Sequence, residues 1–197
     1  MGQFKMEATH LGEIVILAPE TFGDDRGFFM ETYREDQFKA LGLPTEFVQD
    51  NHSRSKKNVL RGLHFQYDPP MGKLMRVTVG EAFLVAVDLR KGSPTFGKWW
   101  GGELSAANKK MMWAPASFAR GLCVLSDWAE VQYKTTAIYN AKTDVSIRFD
   151  DPDIGIKWPV SSPQISERDR KAITFADWVK SPESERFVYA QRAGGGR

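Results

Sequence analysis

One cysteine and three histidines are all the thiol and imidazole metal ligands this 197-residue chain carries. A single cysteine cannot close an internal disulfide, which fits a reducing compartment, and a cytoplasmic protein is expected. Cys123 sits in the apolar stretch "GLCVL", where it reads as a small buried hydrophobe rather than a nucleophile. His10, His52 and His64 lie far apart, with no His-x-His and no Cys-x-x-Cys. Such a kit argues against a catalytic metal, so no metal and no cofactor are expected. Also missing are a Gly-x-Gly-x-x-Gly turn, a P-loop and a Gly-x-Ser-x-Gly elbow. The opening "MGQFKMEATHLGEIVIL" has no apolar span of signal-peptide or membrane length. Charge is nearly balanced, 27 basic against 25 acidic residues, so the electrostatic footprint of a nucleic-acid binder is lacking. "SRSKK" and "NKKMM" read as solvated turns. Helical signals are few: "REDQFKALG" (34–42) with a glycine stop, and "SERDRKAITFADW" (166–178) with a Ser-x-x-Asp cap.

Short β-rich runs fill the rest. Strands are expected at 12–19, 27–33, 46–53, 59–66, 73–80, 81–90, 98–105, 110–115, 120–126, 129–139 and 145–151. In "FLVAVDL" the alternation places Phe83, Val85, Val87 and Leu89 on one face. Gly80-Glu81 and Ser126-Asp127 are expected as hairpin turns. This many short strands with so few helices indicates an all-β double-sheet jelly roll or small barrel. One domain is expected over residues 1–180, followed by a C-terminal extension, 181–197, whose "AGGGR" end is expected to be disordered.

The stretch "VLRGLHFQ" (59–66) sets an arginine and a histidine in an apolar run. Strict alternation would put Arg61 and His64 on opposite faces. A bulge at Gly62 would bring them to the same face. By itself His64 could be a core histidine with its hydrogen bonds satisfied. Gln49 and Asn51 on one strand face, Lys73 opening the next strand, and Tyr133 and Tyr139 later tip the balance. Leaving so many buried polar groups unpaired would cost about 1–3 kcal/mol each, and a wet cavity holding a polar ligand accounts for them more economically.

These segments, together with "DDRGFFMETY" (24–33), "FVQDNHSRS" (47–55), "GKLMRVTVGEAFLVAVDLRKGSPTFGKW" (72–99), "DDPDIGIKWP" (150–159) and "ISERD" (165–169), resemble the dTDP-4-dehydrorhamnose 3,5-epimerases. The resemblance spans roughly residues 11 to 175. It implies a cupin-type double-stranded β-helix and a metal-free isomerase acting on a dTDP-linked 4-keto-6-deoxy sugar in dTDP-rhamnose biosynthesis. It implies that His64 is the general base, oriented by Asp169, that Tyr133 is the acid on the opposite face of the sugar, and that Lys73 stabilises the enolate. Gln49, Asn51 and Arg61 match residues that bind sugar or diphosphate, and Tyr139 the aromatic that stacks on thymine. Asp144 and Arg168 fall where a carboxylate and a basic residue stand. Arg26 and Glu31 match positions that reach into the partner's site in a homodimer. Structural readings stand beside these: ion pairs for Arg26 and Arg61, core packing for Tyr139.

Two positions depart from the family pattern. Leu84 stands where an aspartate is usual, and Arg120 where a histidine is usual. Arg120 is open to two readings, an anion-binding group or the partner of an acid such as Glu130 or Asp88. The departures leave inversion at C3, C5 or both as alternatives. A 3,4-ketoisomerase and a non-catalytic nucleotide-sugar binder are the rival functions.

Overall fold

The computed structural model of the chain describes residues 2–189; the "AGGGR" end lies outside them. The strands are β1 (Phe4–His10), β2 (Ile14–Pro19), β3 (Thr21–Asp24), β4 (Gly27–Met30), β5 (Gln49–Lys56), β6 (Leu60–Gln66), β7 (Lys73–Val79), β8 (Glu81–Asp88), β9 (Trp99–Ser105), β10 (Met111–Ala114), β11 (Phe118–Val124), β12 (Trp128–Thr135) and β13 (Asp144–Ser146). Helices are short: α1 (Glu35–Ala40), α2 (Glu167–Arg170), α3 (Phe175–Lys180) and a 3-10 turn at Pro182–Arg186. None is long and apolar enough to cross a membrane.

Two antiparallel sheets face each other, as the jelly-roll expectation requires. One runs β1-β2-β10-β7-β12-β5 and the other β13-β6-β11-β8-β9, with β3-β4 a separate hairpin. Period-two alternation sorts each strand's side chains between the inter-sheet space and an outer layer. Ile14, Ile16, Met75, Val77, Leu84, Met112, Leu122, Val124 and Val131 fill the inter-sheet core. On the outside of the six-stranded sheet, Leu17, Leu74 and Met111 pack against Phe38 of α1. On the outside of the five-stranded sheet, Val85, Val87 and Leu89 pack with Phe83 under Phe175, Trp178 and Phe187. The face foreseen for "FLVAVDL" is therefore the outer one.

Where the structure departs from expectation, the causes are topological. Gly80-Glu81 joins β7 to β8 and Ser126-Asp127 lies between β11 and β12, yet in both cases the two strands belong to different sheets. These are corners of the jelly roll rather than hairpin turns. They lean on each other: the Ser126 hydroxyl accepts from the Glu81 amide at 2.9 Å and donates to the Trp128 carbonyl at 2.6 Å. Gly80 has φ +69°, and a Cβ there would strike Trp128 and Ser126. β1 and β3 were not foreseen, because β1 is mostly exposed and β3 wholly so, leaving no apolar alternation to read. The run 27–33 ends as strand at Met30, and the run 129–139 at Thr135.

Candidate active site

The bulge expected at Gly62 is present. Across the β6–β11 ladder, His64 pairs with Arg120 and Arg61 with Leu122, so three steps on β6 oppose two on β11. Directly opposed residues share a face, so Arg61, His64, Arg120 and Leu122 all point between the sheets. Gly62 permits this with φ +124°; a Cβ would meet the Gly121 Cα at 2.7 Å and the Arg120 carbonyl oxygen at 2.8 Å. Leu63 and Phe65 go to the outer core.

His64 Nε2 lies 2.6 Å from Asp169 Oδ1. The carboxylate is delivered by α2, whose N-cap is Ser166: the serine hydroxyl accepts from the Asp169 amide at 3.1 Å and donates to Asp169 Oδ2 at 2.8 Å. Burial alone would raise the Asp169 carboxyl. Its contacts with His64, with Ser166 and with the Arg168 charge outweigh that and hold it below the usual carboxylate range. It is thus a fixed anion that holds the imidazole in one orientation.

A cleft of about 300 Å³ opens beside His64, lined also by Gln49, Asn51, Met71, Lys73, Tyr133, Tyr139, Asp144 and Arg168. His64 comes from the five-stranded sheet and Tyr133 from the other, so the two rings enter one void from opposing walls. Burial holds the Tyr133 phenol above its ordinary value, with Asp144 and Tyr139 adding to the effect and Arg61 and Arg120 opposing it. The phenol therefore keeps its proton at neutral pH. Lys73 Nζ lies 5.0 Å from the centre of the Tyr133 ring. Burial, then the Arg120 charge, pushes the ammonium down to about 7, with Arg168 helping and Asp144 opposing.

The nucleotide-binding candidates divide. Gln49 Nε2 donates to Asn51 Oδ1 at 3.1 Å on the cleft wall. Asp144 and Arg168 form an ion pair at 2.8 Å. Tyr139 is half exposed at the cleft mouth rather than in the core, and its amide donates to Gln49 Oε1 at 2.9 Å. Arg61 shares the His64 face but stands outside the lining, its Nε donating to Ser55 at 3.0 Å. Arg26, at the exposed tip of the β3–β4 hairpin, pairs with Asp24, and Glu31 pairs with Arg34 at 3.5 Å. Neither lines the cleft of its own chain.

Both acids suggested as partners for Arg120 are otherwise engaged. Asp88 is held by Arg90, Ser93 and Thr95, and Glu130 by His52 and Arg54. Leu84 is fully buried in the inter-sheet core. Away from His64, His10 stacks on Trp100 at 4.8 Å and His52 contacts Glu130 at 2.9 Å. Among the described residues no three His, Cys, Asp or Glu side chains come together as a metal-ligand group. Cys123 is buried, and burial raises its thiol to about 11, which does not suit a nucleophile.

Two supporting residues escaped the sequence reading. Gln66, 2 % exposed, donates to the carbonyls of Pro69 and Ile138 and accepts from the Asn140 amide, pinning the loop on both sides of Tyr139. An amide in a buried strand was the available signal. Ser166 was legible as a helix cap, but its second bond to the Asp169 carboxylate was not.

Comparison with known proteins identifies the family. The family model described as dTDP-4-dehydrorhamnose 3,5-epimerase matches residues 8–177. The chain belongs to the dTDP-4-dehydrorhamnose 3,5-epimerase family. The family member named dTDP-4-dehydrorhamnose 3,5-epimerase from Pseudomonas aeruginosa is 52% identical over 176 residues, 87% of this chain and 97% of that one. A dTDP-4-dehydrorhamnose 3-epimerase from Streptomyces niveus is 37% identical over 82% of this chain and 79% of its own. The solved dTDP-6-deoxy-D-glucose-3,5-epimerase from Legionella pneumophila, in complex with dTDP-4-keto-L-rhamnose, superposes with a TM-score of 0.89 at 41% identity. That match covers 96% of this chain and 100% of that one. Membership in this epimerase family, with its cupin-like fold, is the expectation the resemblance carried.

Proposed function

We propose that the protein epimerises a dTDP-linked 4-keto-6-deoxyhexose at C3 and C5, without a cofactor, in dTDP-rhamnose biosynthesis. The observation that carries the reading is the pairing of the His64–Asp169 dyad on one wall with the Tyr133 phenol on the other, across a single cleft. His64 takes the proton from the carbon beside the ketone, and the C–H electrons move into an enolate whose oxygen Lys73 stabilises. Tyr133 then delivers a proton to the opposite face. The carbon is inverted, and solvent restores the proton to tyrosine and removes one from histidine. Binding alone would need no such acid and base on facing walls, which disfavours a non-catalytic binder. Inversion of both carbons is favoured over inversion of C3 alone, because 52% identity to a 3,5-epimerase exceeds 37% to a 3-epimerase. Gln49, Asn51, Arg61, Asp144 and Arg168 are assigned to the sugar and diphosphate, and Tyr139 to the base. A cytoplasmic site of action suits the one buried thiol.

Incubation with the dTDP-linked ketosugar in heavy water tests the reading: deuterium enters at C3 and C5, and none at either carbon would end it. Deuterium at C3 alone would move the assignment to a 3-epimerase, and a product with its ketone at C3 to a ketoisomerase.

A homodimer completes the proposal, with Arg26 and Glu31 serving the partner's cleft. Phe28 and Phe29 on the same hairpin are 61% and 65% exposed, an apolar face suited to cover by a second copy. Mixing inactive R26A and H64N proteins checks it: hybrid dimers regain one intact site, and activity returns. Persistent inactivity in verified hybrids would count against a shared site.

A further inference from the structure

Arg120 is 3% exposed. Its two terminal nitrogens are spent on backbone carbonyls, Nη1 on Pro115 at 3.0 Å and Nη2 on Met71 at 2.9 Å. Its Nε is buried with no partner, and no carboxylate of the described residues forms an ion pair with it. Burial lowers the guanidinium only to about 10, with Asp144 and Tyr133 opposing the fall, so it stays charged at neutral pH. A buried cation without a counter-ion is costly. The location gives that cost a use. Arg120 lies opposite His64 on the inner face, and its Met71 contact is two residues from Lys73. Lys73 likewise has no carboxylate within ion-pair distance among the described residues, since Asp144, the acid of the cleft wall, is paired with Arg168. Facing Lys73 are Arg120 from β11, Tyr133 from β12, His64 from β6, Asp144 from β13, Arg168 from α2 and Tyr139 from the loop after β12. The cations outnumber the anions.

We propose that Arg120 is a positioning residue acting through Lys73: a fixed positive charge walled in behind the lysine, it repels the ammonium in the substrate-free enzyme and thereby helps set the alkaline limit of catalysis. The proposal rests on the epimerase reading, because the enolate oxygen is the anion that both cations await. Their field is aimed at charge that exists only as the proton leaves carbon.

The test is the pH profile of kcat/KM on the dTDP-linked ketosugar for wild type, R120K, R120Q and K73R. Wild type loses activity about tenfold per pH unit above about 7. R120K, which keeps the charge, keeps that limb. R120Q moves it upward by about one pH unit, and K73R, whose charge is permanent, lacks it. A limb in the same place in R120Q and wild type overturns the proposal. Should R120Q fail to fold, R120M replaces it and NMR of 13Cε-labelled lysine reads Lys73 in both proteins: a titration about one pH unit higher in R120M than in wild type supports the proposal, and an unchanged titration overturns it. Product from the same wild-type reactions in heavy water separates the two levels. Without deuterium the epimerase reading falls, whereas deuterium with an unmoved limb removes only the role of Arg120.

Discussion

The space between the two sheets has a dry end and a wet end, built from the same strands. Along β12 the inward residues run Ala129, Val131, then Tyr133; along β7, read backwards, they run Val77, Met75, then Lys73. At the dry end Leu84, Leu122, Met112 and Val124 exclude water and stabilise the fold. At the wet end β12 and β7 give Tyr133 and Lys73 to the cleft, joined by Gln49 and Asn51 of β5, His64 of β6 and Asp144 of β13. Placing the site on strands whose other halves are locked in the core fixes its geometry without further bracing. The dry end also bears on the proposed chemistry, because its low dielectric leaves the charges next to it poorly screened.

Substitutions at the two ends should separate activity from stability. The largest effect is expected at His64→Asn, with kcat falling by about 10²–10⁴ while calorimetry finds dTDP affinity and melting temperature little changed. Lost affinity would blur the division. At the dry end Leu122→Ala should cost about 2–5 kcal/mol in urea unfolding and leave the pH profile of the folded enzyme unmoved. Gln66→Leu tests the border. The Tyr139 loop loses its anchor, and KM should rise roughly five- to tenfold with kcat nearly constant; steady-state kinetics checks the split. A further contrast concerns pH. Since the folded state lowers the Lys73 ammonium to about 7, the unfolded chain holds the extra proton from there up to about 10.4. Stability should therefore rise with pH across that window. Lys73→Met should abolish that contribution and be more stable than wild type below it, as melting curves against pH would report.

Much of this division was legible in the sequence. Alternation in "FLVAVDL" and a glycine between Arg61 and His64 sufficed for the faces and the bulge, because period-two patterning and the need for a missing Cβ are local facts. The corners at Gly80 and Ser126 were misread as hairpins, because a tight turn carries the same residues whether its strands pair or part into two sheets. The Arg120 environment was equally illegible: which acids lie within reach depends on contacts across the sheets, and both candidates proved committed to other cations.

The carboxylate that steadies His64 comes from 105 positions downstream, on a helical turn begun by the serine that also grips that carboxylate. A nascent chain can thus close both sheets and still lack the support of the proposed base until residues 166–169 have emerged and docked. Ketosugar turnover by this protein is in effect a report that translation has passed that point.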